Sequence, residues 1–273
     1  MNPEFGASIN YWLGSQPDGD VTLKIISGSG DTVRTLQGSK NDGINRVWWN
    51  LQGEPSAQIK LRTKPIYADW VELNDEGWRN GGPRVSVLQP PATYTAALEV
   101  DGQTYTQQLT VLKDPNSDGT VAEIEEQTAM VVAVQQDLNV AADVVNQIEL
   151  IRRQMYNLQM VVKARGDDTT ILAAVDSLDQ KLIEVEGQLI QMKISQGGDG
   201  IRWPALVIDQ LSYLARNVAT ADFRPTDQQR EVHQVLRDQL TQAKDQFDAI
   251  LHTDLPALNR RLQEHNVAQI IMQ

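Results

Sequence analysis

The feature that most constrains this chain is a stripe of apolar residues at three- and four-residue spacing. It begins at Ile124 and ends at Val162, about ten helical turns later. Such a stripe gives an α-helix one face that must be buried. It predicts a helix over about residues 120–165 that is roughly 65 Å long at 1.5 Å per residue.

Similar stripes predict three more helices, over about residues 169–194, 204–220 and 225–264. Pro204 and Pro225 stand where the last two helices begin, a favoured position for proline. Pro256 predicts a bend within the last helix. Because helices joined by short loops pack antiparallel, residues 116–273 are predicted to form an up-and-down four-helix bundle.

The residues before this helical region have a different composition. Residues 1–115 hold 12 of the 18 Gly, 8 of the 11 Pro and 5 of the 6 Trp. Glycine and proline punctuate turns and interrupt helices, so a step this sharp predicts a domain boundary near residue 115. The chain is therefore read as two domains, residues 1–115 and 116–273.

The first domain is predicted to be a small antiparallel β-sandwich of the immunoglobulin or fibronectin type III kind. Asp101-Gly102 joins the last two predicted strands and is a strong hairpin signal. Turn residues separate short segments rich in β-branched and aromatic residues. These predicted strands are Ala7–Leu13, Val21–Ile26, Thr32–Leu36, Asn45–Leu51, Ala92–Val100 and Gln103–Leu112.

A long insertion, about residues 52–91, interrupts this domain, and loops of such length are often functional. It carries two tryptophans among carboxylates, a combination that could bind a sugar or a protein partner. The alternative is that the insertion folds back and its rings cover a core. The candidate ligand-binding residues are Trp70, Glu72, Asp75, Glu76 and Trp78.

Charge and composition exclude several classes of function. The net charge of −12 argues against binding to nucleic acid or to an anionic membrane surface. No apolar run is long enough to span a bilayer. The absence of Cys excludes disulfides, thiolate metal sites and a Cys nucleophile. The N-terminus has neither the basic region nor the apolar core of a signal peptide, so either the protein is cytosolic or the chain is part of a longer one.

No catalytic motif is recognisable, and no catalytic residue is assigned. The three histidines, His233, His252 and His265, lack the spacing of a zinc site and are expected at surface or helix-end positions. No phosphate-binding loop, dinucleotide-binding fingerprint or nucleophile elbow is present.

One segment matches the spacing of a calcium-binding loop. Its candidate ligands are Asp114, Asn116, Asp118 and Glu125, with Gly119 at the turn position. No helix precedes it and Pro115 stiffens it, so the alternative is an interdomain turn followed by a capping box from Thr120 to Glu123. No other cofactor is expected.

Several segments of the chain together resemble the C-terminal region of bacterial BNR-repeat, sortilin-like β-propeller proteins that are described as glycosyl hydrolases. The resemblance covers nearly the whole chain. It is carried by Gly6–Leu13, Val21–Ile25, Val33–Leu36, Gly43–Leu51, Val71–Trp78, Pro90–Thr95, Leu109–Pro115 and Phe223–Glu231.

The resemblance implies an accessory region whose propeller domains would precede it in a longer, exported protein, periplasmic or extracellular. Any sugar-processing site would lie on those propellers, so no catalytic residue carries over. The leading hypothesis is a non-catalytic module that spaces domains or binds protein partners, including a second copy through its helices. The first alternative is a polysaccharide-binding module, and the weakest is a standalone glycoside hydrolase, which would need a pair of carboxylates in a cleft.

Overall fold

The computed structural model describes residues 4–65, 68, 70–164, 166, 169–194 and 199–271. It contains both helices and antiparallel sheets. The chain divides into two compact units, one of residues 1–55, 85–135 and 217–225 and the other of residues 56–84, 136–216 and 226–273. These bounds differ from the predicted boundary near residue 115, because each unit contains residues from both sides of it. The division into domains 1–115 and 116–273 stays a prediction.

The first unit holds two antiparallel sheets. Its strands are β1 (Ala7–Leu13), β2 (Thr22–Ile26), β3 (Thr32–Gln37), β4 (Gly43–Trp49), β7 (Ala92–Val100) and β8 (Gln103–Val111). They agree with the predicted strands to within two residues at each end. Four of them form one sheet in the order β3-β2-β7-β8, and β1 pairs with β4 in the other.

The hairpin between β7 and β8 is confirmed. Asp101 and Gly102 have φ values of 47° and 76°, and positive φ at both loop residues is the signature of a type I′ turn. Its register brings Val100 opposite Gln103.

Residues from both sheets share one apolar core in this unit. Trp49 of β4 is fully buried, and its ring meets that of Tyr94 of β7 edge to face, with centroids 5.4 Å apart. Leu23 and Ile25 of β2 complete the same cluster because alternate residues of a strand point to one face.

The second unit is mainly helical. The helices of the chain are α1 (Val121–Ala164), α2 (Thr169–Leu189), α3 (Asp199–Arg202), α4 (Val207–Val218), α5 (Asp227–Ala249) and α6 (Leu255–Glu264). α1 contributes its residues from Gln136 onward to this unit and its earlier residues to the first. α2 packs against both α5 and α6. Within residues 56–84, the short strands β5 (Lys60–Leu61) and β6 (Arg79–Asn80) pair antiparallel.

Some predicted helix ends are corrected. α4 begins at Val207 rather than Pro204, because Leu206 accepts its first helical hydrogen bond. α5 begins after Thr226 rather than at Pro225, because the Thr226 side chain caps the helix. α2 ends at Leu189 rather than at residue 194. The predicted end of α1 at residue 165 and the glycines at 197–198 lie outside the described residues.

At the place where a bend is expected near Pro256, the chain forms a π-helical turn over Ile250–Asp254, directly before α6. The N–H of Leu255 donates to the carbonyl of Ile250, five residues earlier. A proline cannot donate the regular helical bond, and a wide turn accommodates that loss. None of the described helices has the length and apolar character needed to cross a membrane.

Candidate functional site

An extended stretch of the second unit, residues 57–63, is held by side chains that project from α1. Asn139 Oδ1 accepts the N–H of Ala57 at 2.7 Å. Asn146 accepts the N–H of Lys60 through Oδ1 at 2.7 Å and donates through Nδ2 to the carbonyl of Gln58 at 2.9 Å. These amides supply partners that a neighbouring strand would otherwise provide, so the insertion is fastened to the helix through its backbone.

Glu149, one turn further along α1, holds the end of this stretch. Its carboxylate accepts the N–H and the hydroxyl of Thr63, each at 2.6 Å, and also the N–H of Arg62. The side chain of Glu149 is fully buried. Because one buried carboxyl group accepts three hydrogen bonds from this stretch, Glu149 is the main attachment point of the insertion.

Arg152 lies at the centre of a buried ionic cluster. Its guanidinium donates to three carboxylates: Glu186 at 2.8 Å, Asp179 at 2.9 Å and Glu149 at 3.2 Å. Burial acts to lower the pKa of Arg152, but the charges of Glu186, Asp179 and Glu149 outweigh it and the pKa is raised. Arg152 therefore stays charged, and its Nε and Nη1 groups bind the three carboxyl groups.

Glu186 has the most altered acid–base chemistry of the cluster. It is fully buried on α2, and burial raises its pKa well above the usual range, with the charge of Glu149 adding to the rise. Its Oε1 accepts no N–H or O–H group in the part of the chain that the structure describes, and Glu149 faces it. Burial and the neighbouring Glu149 therefore both favour the protonated form of Glu186.

Two further arginines face this cluster. Burial lowers the pKa of Arg79, against the attraction of Glu149 and Glu186, and among the described residues its Nε has no hydrogen-bond partner. Burial also lowers the pKa of Arg62. Paired carboxylates with one raised pKa are typical of active sites, but neither Glu149 nor Glu186 exposes any surface to a substrate. The cluster is built to hold the insertion on α1 and α2.

A cavity of about 390 Å³ lies beside the cluster in the same unit. It is lined by the insertion and by α1 and α2, with Arg62, Leu73, Arg152, Arg153, Tyr156 and Asp179 among its lining residues. Sequence reasoning missed this site and the cluster, since their residues are scattered over three elements and each resembles a residue of a solvated face.

The predicted Trp and acidic residues have unlike environments. Trp70 is 70% exposed, whereas Trp78 is half-buried beneath the Lys60 ammonium, which lies 5.0 Å from its ring centroid. The indole N–H of Trp78 donates to Glu76 at 2.8 Å. Of the two rings, only Trp70 therefore presents a largely open surface.

The carboxylates between the two tryptophans lie on a tight turn. Gly77 donates its N–H to the carbonyl of Asn74 at 2.8 Å, and its φ of 77° suits glycine. Glu72, Asp75 and Glu76 are exposed around this turn. Whether the five residues bind a ligand stays a prediction.

The calcium-like segment forms a turn followed by a helix cap. Asp114 Oδ1 accepts the N–H of Asn116 at 2.8 Å. Thr120 and Glu123 form the predicted capping box, with the Glu123 N–H donating to the Thr120 hydroxyl at 3.2 Å and the Thr120 N–H to the Glu123 carboxylate at 2.9 Å. This cap at the start of α1 is confirmed.

The four candidate calcium ligands carry no arrangement that identifies a metal centre. Asp114, Asn116, Asp118 and Glu125 are all exposed. Within the described residues, no group of three or more His, Cys, Asp or Glu side chains is placed to hold a metal ion. The calcium site stays a prediction.

One histidine departs from its expected position. His233 on α5 is buried rather than on the surface, and its Nε2 lies 2.7 Å from Asp137 Oδ2 on α1. Arg237 donates to the same carboxylate at 3.1 Å. These three residues form a polar contact between α5 and α1. The contact depends on how the two helices pack, so the local sequence could not predict it.

Sequence reasoning also missed an aromatic face on the β1–β4 sheet. Trp12 is 70% exposed and lies directly opposite Ile44, which is 81% exposed. Next along the same face, Arg46 Nε donates to Asn10 Oδ1 at 2.8 Å. The alternation of β1 could have revealed this face, because Trp12 is out of phase with the buried Leu13.

The comparisons with known proteins give no relative for this arrangement. No family model, no curated protein and no solved structure matches the chain.

Proposed function

We propose that this chain is a non-catalytic accessory module that supports or spaces neighbouring domains and binds protein partners. The observation that carries the proposal is the use of the buried ionic cluster. The Glu149 carboxyl group accepts hydrogen bonds from the backbone N–H groups of Arg62 and Thr63 and from the Arg152 guanidinium, all within the protein. The buried charged groups of this cluster therefore bind other parts of the chain instead of facing a substrate.

The architecture proposed for this module is an immunoglobulin-like sandwich with a helical bundle. Support for the sandwich comes from the core that Trp49 of one sheet and Tyr94 of the other share. Support for the bundle comes from the packing of α2 against α5 and α6. Aligned sheets over one core and helices with short connections are the usual forms of these two folds.

The place of such a module in a larger protein rests on the sequence resemblance. Similarity to the C-terminal region of BNR-repeat, sortilin-like proteins supports propeller domains as its partners and a periplasmic or extracellular setting. Self-association through helices is the further partner proposal, supported by Met160 and Val161, which are exposed on α1. Exposed apolar side chains on one helix favour a helix–helix contact.

Three assays test the function. Affinity electrophoresis detects polysaccharide binding, and reducing-sugar release detects hydrolysis. A pull-down tests binding to a separately produced propeller domain from the BNR-repeat proteins that the chain resembles. The purified chain is run through gels containing a panel of plant and bacterial polysaccharides. An accessory module shows unchanged mobility, releases no reducing sugar and binds the propeller polypeptide. Sugar release from any substrate would overturn the proposal.

A carbohydrate-binding module is the second candidate, and the exposed ring of Trp70 favours it. Exposed aromatic rings anchor ligands by their apolar faces. In the same gels, retardation that is lost in Trp70→Ala but kept in Trp78→Ala would establish this candidate in place of the accessory module. A standalone hydrolase is the weakest candidate, since the paired carboxylates Glu149 and Glu186 are buried and leave no room for a sugar between them.

A further inference from the structure

The cavity beside the ionic cluster has the size of a small-molecule site. Its volume of about 390 Å³ falls in the range of roughly 300 to 1,000 Å³ that ligand pockets occupy. It lies wholly within the second unit, where residues 62–64 and Leu73 of the insertion face α1 and α2. The docking of the insertion on the helices therefore creates it.

The lining of this cavity is positive although the chain as a whole is strongly negative. Among the described lining residues, four are cationic and one is a carboxylate: Arg62, Lys64, Arg152 and Arg153 against Asp179. The net charge of the chain is −12. A concentration of positive charge in a concave site attracts anions, because the low-dielectric walls focus its field.

Two of these cations are placed to receive a ligand. Arg152 already donates to the carboxyl groups of Glu149, Asp179 and Glu186. Among the described residues, neither Arg62 nor Arg153 forms an ion pair. Both side chains line the same cavity. Burial lowers the pKa of Arg62, the charge of Glu149 raises it, and repulsion by the charge of Arg153 lowers it. An anion between them would relieve that repulsion.

The backbone orients both side chains. Arg62 Nη1 donates to the carbonyl of Lys60 at 3.0 Å, and Arg153 Nη1 donates to the carbonyl of Gly77 at 2.7 Å. A guanidinium has five N–H donors, so each arginine keeps others for a ligand. Paired arginines whose position is already set favour planar or tetrahedral oxyanions such as carboxylate and phosphate.

The cavity lining also includes apolar groups. Leu73 and Met155 contribute apolar surface, and Tyr156, which is 62% exposed, contributes an aromatic ring. Such a surface suits the carbon skeleton of an organic ligand better than a free inorganic ion.

We infer that this cavity is a binding site for a small organic oxyanion, a molecule with one carboxylate or phosphate group held between Arg62 and Arg153 and a compact body lying against Leu73 and Tyr156. The site goes beyond the accessory function, because it concerns a small molecule and not a neighbouring domain. It would let a ligand strengthen the attachment of the insertion to the helices.

Isothermal titration calorimetry of the whole chain tests the site. The probes are glucuronate, glucose 6-phosphate, inorganic phosphate and neutral glucose. Saturable binding of glucuronate or glucose 6-phosphate, and little or none of glucose, is expected. Which of the two binds identifies the oxyanion, and tighter binding than that of inorganic phosphate shows that the organic body contributes.

The variants separate this site from non-specific attraction. Arg153→Gln and Arg62→Gln should each weaken binding at least tenfold, whereas Arg260→Gln, an exposed arginine on α6, should leave it unchanged. Gly77→Ala keeps every charge but places a Cβ 2.7 Å from Arg153 Nη1, so it should also weaken binding. Circular dichroism confirms that each variant is folded.

Three outcomes would overturn the inference. One is the absence of binding of either organic oxyanion at millimolar concentration. Another is equal affinity of the wild type and Arg153→Gln. The third is equal binding of glucose and glucuronate. None of these outcomes affects the accessory function, which the propeller and polysaccharide experiments decide.

Discussion

The carboxyl group of Glu186 faces that of Glu149 where both are fully withdrawn from solvent. Two like charges in a buried site repel strongly, and burial disfavours each charge by itself. Burial first, and the charge of Glu149 second, raise the pKa of Glu186 well above its usual value. The folded structure therefore favours a proton on Glu186.

This proton makes stability depend on pH in a predictable direction. The folded chain binds a proton at Glu186 at pH values where the unfolded chain, with a pKa near 4.5, has lost it. The free energy of unfolding should therefore fall as pH rises from about 4.5 to the raised pKa. Glu186→Gln keeps the shape of the side chain, and its amide donates a hydrogen bond without taking up a proton from solution. The variant should therefore lack this part of the pH dependence and be at least as stable at neutral pH.

Urea unfolding of the wild type and Glu186→Gln across this pH range provides the measurement. Glu184→Gln is the matched control, because Glu184 is an exposed carboxylate on the same helix. The control should keep the wild-type pH profile. A wild-type profile in Glu186→Gln would mean that Glu186 is ionised in the folded state.

Glu149→Ala should destabilise the chain more than any surface change. It leaves the N–H groups of Arg62 and Thr63 without an acceptor and removes one of the three carboxylates around Arg152. Removing one member of a buried ionic pair typically costs about 3–5 kcal/mol. Urea unfolding measures the loss, and limited proteolysis should show earlier cleavage within residues 56–84. A loss below about 1 kcal/mol would contradict the assignment of Glu149 as the main attachment point.

The sequence could predict those structural elements that depend only on residues close together in the chain. The type I′ hairpin at Asp101-Gly102 and the capping box from Thr120 to Glu123 are both decided by neighbouring side chains. The strands of the first unit and the long α1 follow from periodicity, which one face of each element imposes. These parts of the fold could be predicted from the sequence.

The site could not be predicted in this way. Glu149 and Arg152 lie on α1, Glu186 lies on α2, and 34 residues separate Arg152 from Glu186. On a helix, such charged residues look like a solvated face until the partner that covers them is known. The insertion covers them, and its attachment depends on side chains such as Asn146 bonding to a backbone 86 residues away.

Trp48 and Trp49 are neighbours on β4 whose side chains point to opposite faces, so they test the core of the first unit directly. Trp49 is fully buried against Tyr94, whereas Trp48 is half-buried and donates its indole N–H to the backbone carbonyl of Phe5 at 2.7 Å. Trp49→Ala should cost about 3–5 kcal/mol, the usual loss for a buried aromatic residue. Trp48→Ala should cost clearly less in the same thermal or urea unfolding experiment, and equal losses would contradict the assigned core.

Thr120→Ala and calcium titration together distinguish a helix cap from a metal site at the start of α1. The Thr120 hydroxyl accepts the Glu123 N–H, and losing such a cap typically costs about 1 kcal/mol. Polar groups of the preceding loop already bond to one another. Asp114 Oδ1 accepts two N–H groups of Asn116, and the Lys113 ammonium donates to the carbonyls of Asp114 and Ser117. Millimolar Ca²⁺ should therefore leave the melting temperature unchanged in the wild type and in Asp118→Asn. A rise with Ca²⁺ that Asp118→Asn abolishes would instead establish the metal site, since a ligand that binds only the folded state raises its stability.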